Sequence, residues 1–210
     1  MKNNFQIPIV LLVNGEFPSH PAPMEILKSA KTIICTDGSA NSLIQFGIEP
    51  QVIIGDLDSL KIDKNLFTGT LIHEPNQNNT DFEKALVWAL ENYVSDLNIL
   101  GSTGLREDHS LANYFIFSEY SSKMNLKLVT NHFTITCHDG TRTFESKRGH
   151  IVSIFAIFPQ TVVSTQFLKY PLLNSVLNPS CRTISNKSLA SQFQVESNKP
   201  ILVFHSHDIF

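Results

Sequence analysis

Residues 31–59 read KTIICTDGSANSLIQFGIEPQVIIGDLDS, and the patterns inside them decide the fold. KTIICT is a short β-rich run. SANSLIQFG follows with apolar residues at helical spacing, and Gly47 can stop that helix. QVIIG is a second β-rich run. Working outward, IPIVLLV (residues 7–13) reads as a strand leading into NGEFP, and PMEILKSA as a short helix with Ile26, Leu27 and Ala30 inward. On the other side, TDFEKALVWALENY sets Phe82, Ala85, Leu86, Ala89, Leu90 and Tyr93 on one helical face. Thr80 and Glu83 form a capping-box pair at its start. LNILG is a further strand and DHSLANYFIFSEY a further helix. Alternating strand and helix predicts a mainly parallel sheet covered on both faces.

From about residue 126 the rhythm changes. LKLVTN, FTITCHD, TRTFES, HIVSIFAIF, TVVSTQF, QFQVES and PILVFHS are β-rich runs separated by turn residues. Such closely spaced strands predict an antiparallel sandwich or barrel. The change lies between residues 125 and 140, and two domains are expected, 1–130 and 131–210.

The 210 residues are 42% hydrophobic and 17% charged with net charge −3, a composition able to build a sizeable core. No basic face is visible, so nucleic acid is not an expected partner. Cys35, Cys137 and Cys181 are odd in number and far apart, which predicts reduced thiols rather than a disulfide framework. The apolar run at residues 7–13 is broken by Pro8, lacks a small-residue cleavage site and is too short to span a bilayer. A soluble cytoplasmic protein with no membrane partner is expected.

The ligand crevice of an open parallel sheet lies at the carboxyl ends of its strands. KTIICT ends in Asp37-Gly38, QVIIG ends in Asp56 and Asp58, Asp81 opens the capped helix, and LNIL ends in GSTGLREDH. Each acid alone suits a turn or a helix start, and Lys84 suits a solvated charge or a partner of Asp81. The doublet is harder to explain locally. In an extended chain Asp56 and Asp58 point to the same side, where their repulsion asks for a cation or a proton. Hard carboxylate oxygens suit Mg²⁺ shared with substrate phosphates. A glycine-containing loop opening a helix offers backbone N–H groups to phosphate, and Arg106 can grip one bidentately. The pattern fits Mg²⁺-assisted transfer of a phosphoryl-type group from a nucleotide.

CTDGSAN, IIGDLDS, NNTDFEKAL and ILGSTGLREDHSLAN fall in the order and approximate spacing of the thiamine pyrophosphokinase family, and LKYPL and ISN resemble its C-terminal thiamine-site segments. The resemblance spans nearly the whole chain. It implies a Rossmann-like α/β domain (residues 1–130) followed by an antiparallel β-sandwich (residues 131–210). It also implies a diphosphotransferase reaction of ATP and thiamine with Mg²⁺, giving AMP and thiamine diphosphate, in a homodimer with active sites between subunits. Carried over by position, Asp56 and Asp58 are the Mg²⁺ doublet, and Asp81 contributes on the metal or thiamine side and is the first candidate for proton acceptor. Asp37 belongs to the same acidic cluster, and Asn41 closes that stretch. Lys84, Arg106 and Asp108 with Gly101, Ser102, Thr103 and Gly104 contact or orient the ATP phosphates. His109 follows Asp108 and could orient it or cap the helix. Ser185 and Asn186 contact the thiamine ring.

Three positions and one stretch depart from the family pattern. Ser39 and Leu105 each stand where a glycine is usual, Phe167 stands where one usually precedes LKYPL, and NPSCRTISN is poor in glycine.

Two other classes fit paired aspartates after a strand: a Mg²⁺-dependent phosphohydrolase of a nucleotide or sugar phosphate, and a non-catalytic binding module. HSHD puts His205 and His207 on one strand face without a third metal ligand nearby, so a solvated terminal strand is expected. Trp88 is read as partial core, and Phe115 and Phe117 as residues of an apolar helix.

Overall fold

The computed structural model describes residues 5–180 and 182–209; Cys181 lies outside them. The chain divides into two compact units, Met1–Asn131 and His132–Phe210.

The first unit runs β1 (Ile9–Leu12), α1 (Pro21–Ser29), β2 (Thr32–Thr36), α2 (Asp37–Gln45), β3 (Val52–Gly55), β4 (Thr70–His73), α3 (Asp81–Glu91), β5 (Asp96–Leu100), α4 (Glu107–Tyr120) and β6 (Asn125–Val129). The strands lie in the order β6-β5-β1-β2-β3-β4, and every neighbouring pair is parallel. Every residue of β1, β2 and β3 is buried, as expected of parallel strands covered on both faces. Leu11, Ile34, Ile53 and Ile54 are wholly shielded, each worth about 1.5–3 kcal/mol of burial. The strand order runs one way from β1 to β4 and then restarts on the other side of β1 with β5. That reversal places a crevice at the carboxyl ends of β1 and β5.

Several elements differ from the sequence reading. The edge strand β4 gives no sequence signal, because it is short and only half-buried against β3. LKLVT, grouped with the later strands by its rhythm, pairs parallel with β5 as β6. Helix α3 ends at Glu91, and Tyr93, expected on the inward face, stands at φ +61 and 83% exposed just beyond the C-cap. In α4 Phe117 is buried while Phe115 is exposed. Trp88 is half-buried with its ring against the edge of Phe5.

The second unit comprises β7 (Phe133–Glu145), β8 (His150–Ala156), β9 (Thr161–Gln166), β10 (Ser175–Leu177), β11 (Asn186–Lys187) and β12 (Gln192–Ile209), with every recorded pairing antiparallel. FTITCHD and TRTFES form one strand, as do QFQVES and PILVFHS. β12 keeps β7 on one side along both halves. On its other side it meets β9 through Gln194–Ser197 and then β8 from Ile201 onward, the exchange falling where its register against β7 shifts. A bulge lets one strand change partners in this way. Phe193, Val195, Ile201, Val203, Val152 and Val163 fill the core beneath. Among the described residues no helix is long and apolar enough to cross a membrane.

Candidate active site

The strand-end acids converge at the carboxyl edge of the first unit. Asp37 is the first residue of α2, where the helix dipole favours an acid, yet it is only 3% exposed. It fits because Gly55 ends β3: a Cβ there would lie 2.9 Å from Asp37 Cγ. Its Oδ1 accepts from Gly38 N–H, whereas the buried Oδ2 finds no hydrogen-bond donor among the described residues. Oxygens of Asp37, Asp56 and Asp58 lie within 4.8 Å of one another. A buried aspartate with one unpartnered oxygen, clustered with two further carboxylates, fits a hard cation, whose oxygen ligands sit at about 2.1 Å for Mg²⁺.

The doublet reaches this arrangement by a turn rather than by strand alternation. Leu57, between the two acids, has φ +62 with its side chain buried, and Asp58 N–H donates to Asp56 Oδ1 at 3.3 Å. A left-handed leucine costs roughly 1–2 kcal/mol; burial of its side chain offsets this. Asn41 fixes the following loop, donating to Ser59 C=O at 2.9 Å and accepting from Lys61 N–H at 2.8 Å. Its side chain is therefore committed to positioning the doublet. Ser39, in place of a glycine, donates to Leu12 C=O at 2.7 Å and ties α2 to β1.

The carboxyls are pushed in opposite directions. Burial raises the Asp37 pKa above its ordinary value, and the negative charges of Asp81 and Asp56 act the same way. Gln77, donating its amide to Asp56 Oδ2 at 3.0 Å, and then the Asp58 N–H hold Asp56 down to about 2. Environments that separate two acids so far are typical of working sites.

Beside this cluster lies a cleft of about 470 Å³. Asp56, Asp81, Lys84, Ser102, Thr103, Arg106 and His109 line it. Asp81 is not within the carboxylate triad; its Oδ1 holds Lys84 Nζ at 2.9 Å, and the Lys84 side chain is 4% exposed. Thr80, the N-cap of α3, accepts from Glu83 N–H and so orients both. Glu83 accepts from Tyr120 O–H at 3.3 Å.

The GSTG loop is laced to the end of β1: Gly15 N–H donates to Gly101 C=O at 2.6 Å and Glu16 N–H to Thr103 C=O at 2.7 Å. Gly101 has φ +66, and a Cβ there would meet Val13 C=O at 2.5 Å. Buried Asn113 donates to Ser102 C=O at 2.7 Å, and the Ser102 hydroxyl, also buried, has no partner among the described residues. Arg106, at the N-cap of α4, forks onto Asp108 through 3.0 and 2.6 Å bonds. That fork lowers Asp108 to about 2. Both groups are exposed, so the pair contributes little stability and the guanidinium can turn to a ligand.

Ser185 and Asn186 lie in the second unit. Ser185 has φ +59 and its N–H donates to Ser153 Oγ at 3.0 Å. The Asn186 side chain accepts from Tyr170 N–H and donates to Tyr170 C=O at 2.7 Å, tying its segment to LKYPL. Phe167, just before that motif, stands at φ +62, a conformation that glycine adopts without strain.

Sequence reasoning passed over Asn14, Gly15, Gln77 and Asn113, all of which line the cleft. Asn14-Gly15 follows β1 and obeys the same strand-end rule, but carries no charge to draw notice. Asn113 is visible only once α4 is folded beside the loop.

The family model described as thiamin pyrophosphokinase, catalytic domain, matches residues 24–130, the segment that carries both the triad and most of the cleft. The chain belongs to the thiamin pyrophosphokinase family. A Caenorhabditis elegans thiamin pyrophosphokinase is 23% identical, covering 92% of this chain and 87% of the relative. A Bacillus subtilis thiamine pyrophosphokinase is 27% identical over 81% of this chain and 84% of its own length. A crystal structure of the enzyme from Bacillus subtilis has the same fold, with a TM-score of 0.79 across 94% of this chain and 98% of that one at 23% identity.

Proposed function

We propose that this chain transfers the diphosphate group of ATP to the hydroxyl of thiamine, releasing AMP and thiamine diphosphate. Family membership supports the reaction, and the single observation that carries the site is the clustering of Asp56 and Asp58 with Asp37, a buried carboxylate that keeps one oxygen unpartnered among the described residues. These three carboxylates would hold Mg²⁺, which when bound neutralises charge developing on the β- and γ-phosphates. Lys84, Arg106 and the N–H groups of the Gly101–Gly104 loop then grip phosphate oxygens, as preorganised donors do.

The thiamine oxygen bonds to the β-phosphorus as the bond from that phosphorus to the oxygen bridging to the α-phosphorus breaks, and AMP departs with that oxygen. Asp81 is the candidate acceptor of the hydroxyl proton. Lys84 Nζ holds its Oδ1 at 2.9 Å, and both residues line the cleft. Asp108 acts through Arg106, which it orients, and His109 lines the cleft beside them.

The finer reading is a soluble, cytoplasmic homodimer of a Rossmann-like α/β domain (1–130) and a β-sandwich (131–210). In it Ser185 and Asn186 of the second domain serve the thiamine side. ATP labelled at the β-phosphorus tests the reaction. Label is expected in thiamine diphosphate, with none in inorganic phosphate or pyrophosphate when thiamine is omitted. Label passing to ADP, pyrophosphate or phosphate without thiamine would indicate a phosphohydrolase instead.

A further inference from the structure

The second unit holds a polar cluster that the transfer reaction does not use. His205, on β12, places Nε2 at 3.2 Å from Nδ1 of His150, the first residue of β8, and at 3.0 Å from Oγ of Ser146, which follows β7. The two rings are tilted at 48° with centroids 5.1 Å apart, and the face of the cluster is closed by Phe193, whose ring meets that of His205 edge-on. His150 is 8% exposed, while Ser146 and His205 are half-buried. A solvated terminal strand, the expectation from HSHD, is therefore not what β12 forms: His205 has the partner that its own strand could not supply.

Two imidazole nitrogens 3.2 Å apart have room for one proton between them, and also for one metal ion. With metal–nitrogen bonds of about 2.0–2.1 Å, that separation corresponds to a ligand angle of about 100°, close to tetrahedral. Imidazole selects ions of the zinc, copper and nickel group rather than magnesium. Both rings must be uncharged to bind metal, and burial lowers the pKa of each, with the charge of Lys147 adding at His150 and the neighbouring histidines at His205. Asp208 acts on His150 with the opposite sign and adds negative charge that favours a cation.

We propose that His150 Nδ1, His205 Nε2 and Ser146 Oγ form a binding site for a divalent transition-metal ion of the zinc type, completed by water. Occupancy clamps the start of β8 and the residue after β7 onto the last third of β12. It stabilises the second unit without entering the phosphate chemistry.

Calorimetric titration with zinc chloride, in excess Mg²⁺ and on the Asp56→Asn/Asp58→Asn background, tests this. The background removes two carboxylates of the acidic cluster, so that zinc bound there does not contribute. One equivalent of zinc is expected. His205→Gln or His150→Gln should weaken it at least tenfold with an unchanged circular dichroism spectrum, and zinc should raise Tm of the parent and not of these variants. No zinc uptake by the parent, or equal affinity in both glutamine variants, overturns the proposal. Should the variants not fold, the ring resonances of the parent decide. Shifts of His150 and His205 together at one equivalent support the site. Shifts confined to other histidines refute it.

Discussion

Asp37 is where burial and charge conflict most sharply. Its raised pKa means that the folded chain holds this proton to higher pH than the unfolded chain does. Stability is therefore lost as pH rises from the ordinary carboxylate value through the raised one. At neutral pH without divalent cations, Asp37→Asn is expected to raise Tm, while the increase in Tm that Mg²⁺ confers on the parent is largely lost. Differential scanning fluorimetry with and without MgCl₂ measures both, and a lower Tm in both conditions would show that the carboxylate is structural. Asp56 and Asp58 differ from it in being half-exposed and exposed, and the Asp56 carboxyl is held low by Gln77. Replacing either by Asn should cut kcat by roughly 10²–10³-fold, the usual scale for loss of one preorganised electrostatic contact, with an unchanged circular dichroism spectrum. Near-normal turnover in Asp58→Asn would remove the metal assignment.

Elements deliver these residues through their ends. Thr80 caps α3 and thereby fixes Asp81 and Lys84, so Thr80→Ala is expected to cost about 1 kcal/mol in urea unfolding and to lower kcat as well. Gly101→Ala would force a Cβ against Val13 C=O in a left-handed backbone. A loss of about 1–3 kcal/mol and a raised KM for ATP should follow in steady-state kinetics. The α3 cap and the β2–α2–β3 order were legible in the sequence because caps and periodicity are local. The way Asp56 and Asp58 meet was not. Alternation accounts for two carboxylates in an extended strand, but the chain here turns at a left-handed Leu57, a conformation that tertiary burial imposes on a residue without intrinsic preference for it. β4 escaped for a similar reason: an edge strand with one neighbour needs little hydrophobic pattern. Asn186 was legible as a member of its motif, but its engagement with the Tyr170 backbone depends on a partner segment 16 residues away.

For the molecule as a whole, the acidic edge of the first unit and the histidine cluster of the second respond to different conditions. His205 has its pKa lowered from 6.5 to about 4, so between those values the unfolded chain takes up a proton that the folded chain refuses, and stability falls as pH falls. His205→Gln should flatten Tm against pH across that window, while a parallel slope in the variant would place the acid sensitivity elsewhere. The catalytic account needs the triad and the cleft to act on one substrate pair, and the rate of AMP release from ATP tests it most directly. AMP is predicted to appear in one-to-one ratio with thiamine diphosphate, and to cease when either thiamine or Mg²⁺ is withheld. AMP or phosphate released at an undiminished rate without thiamine would contradict it.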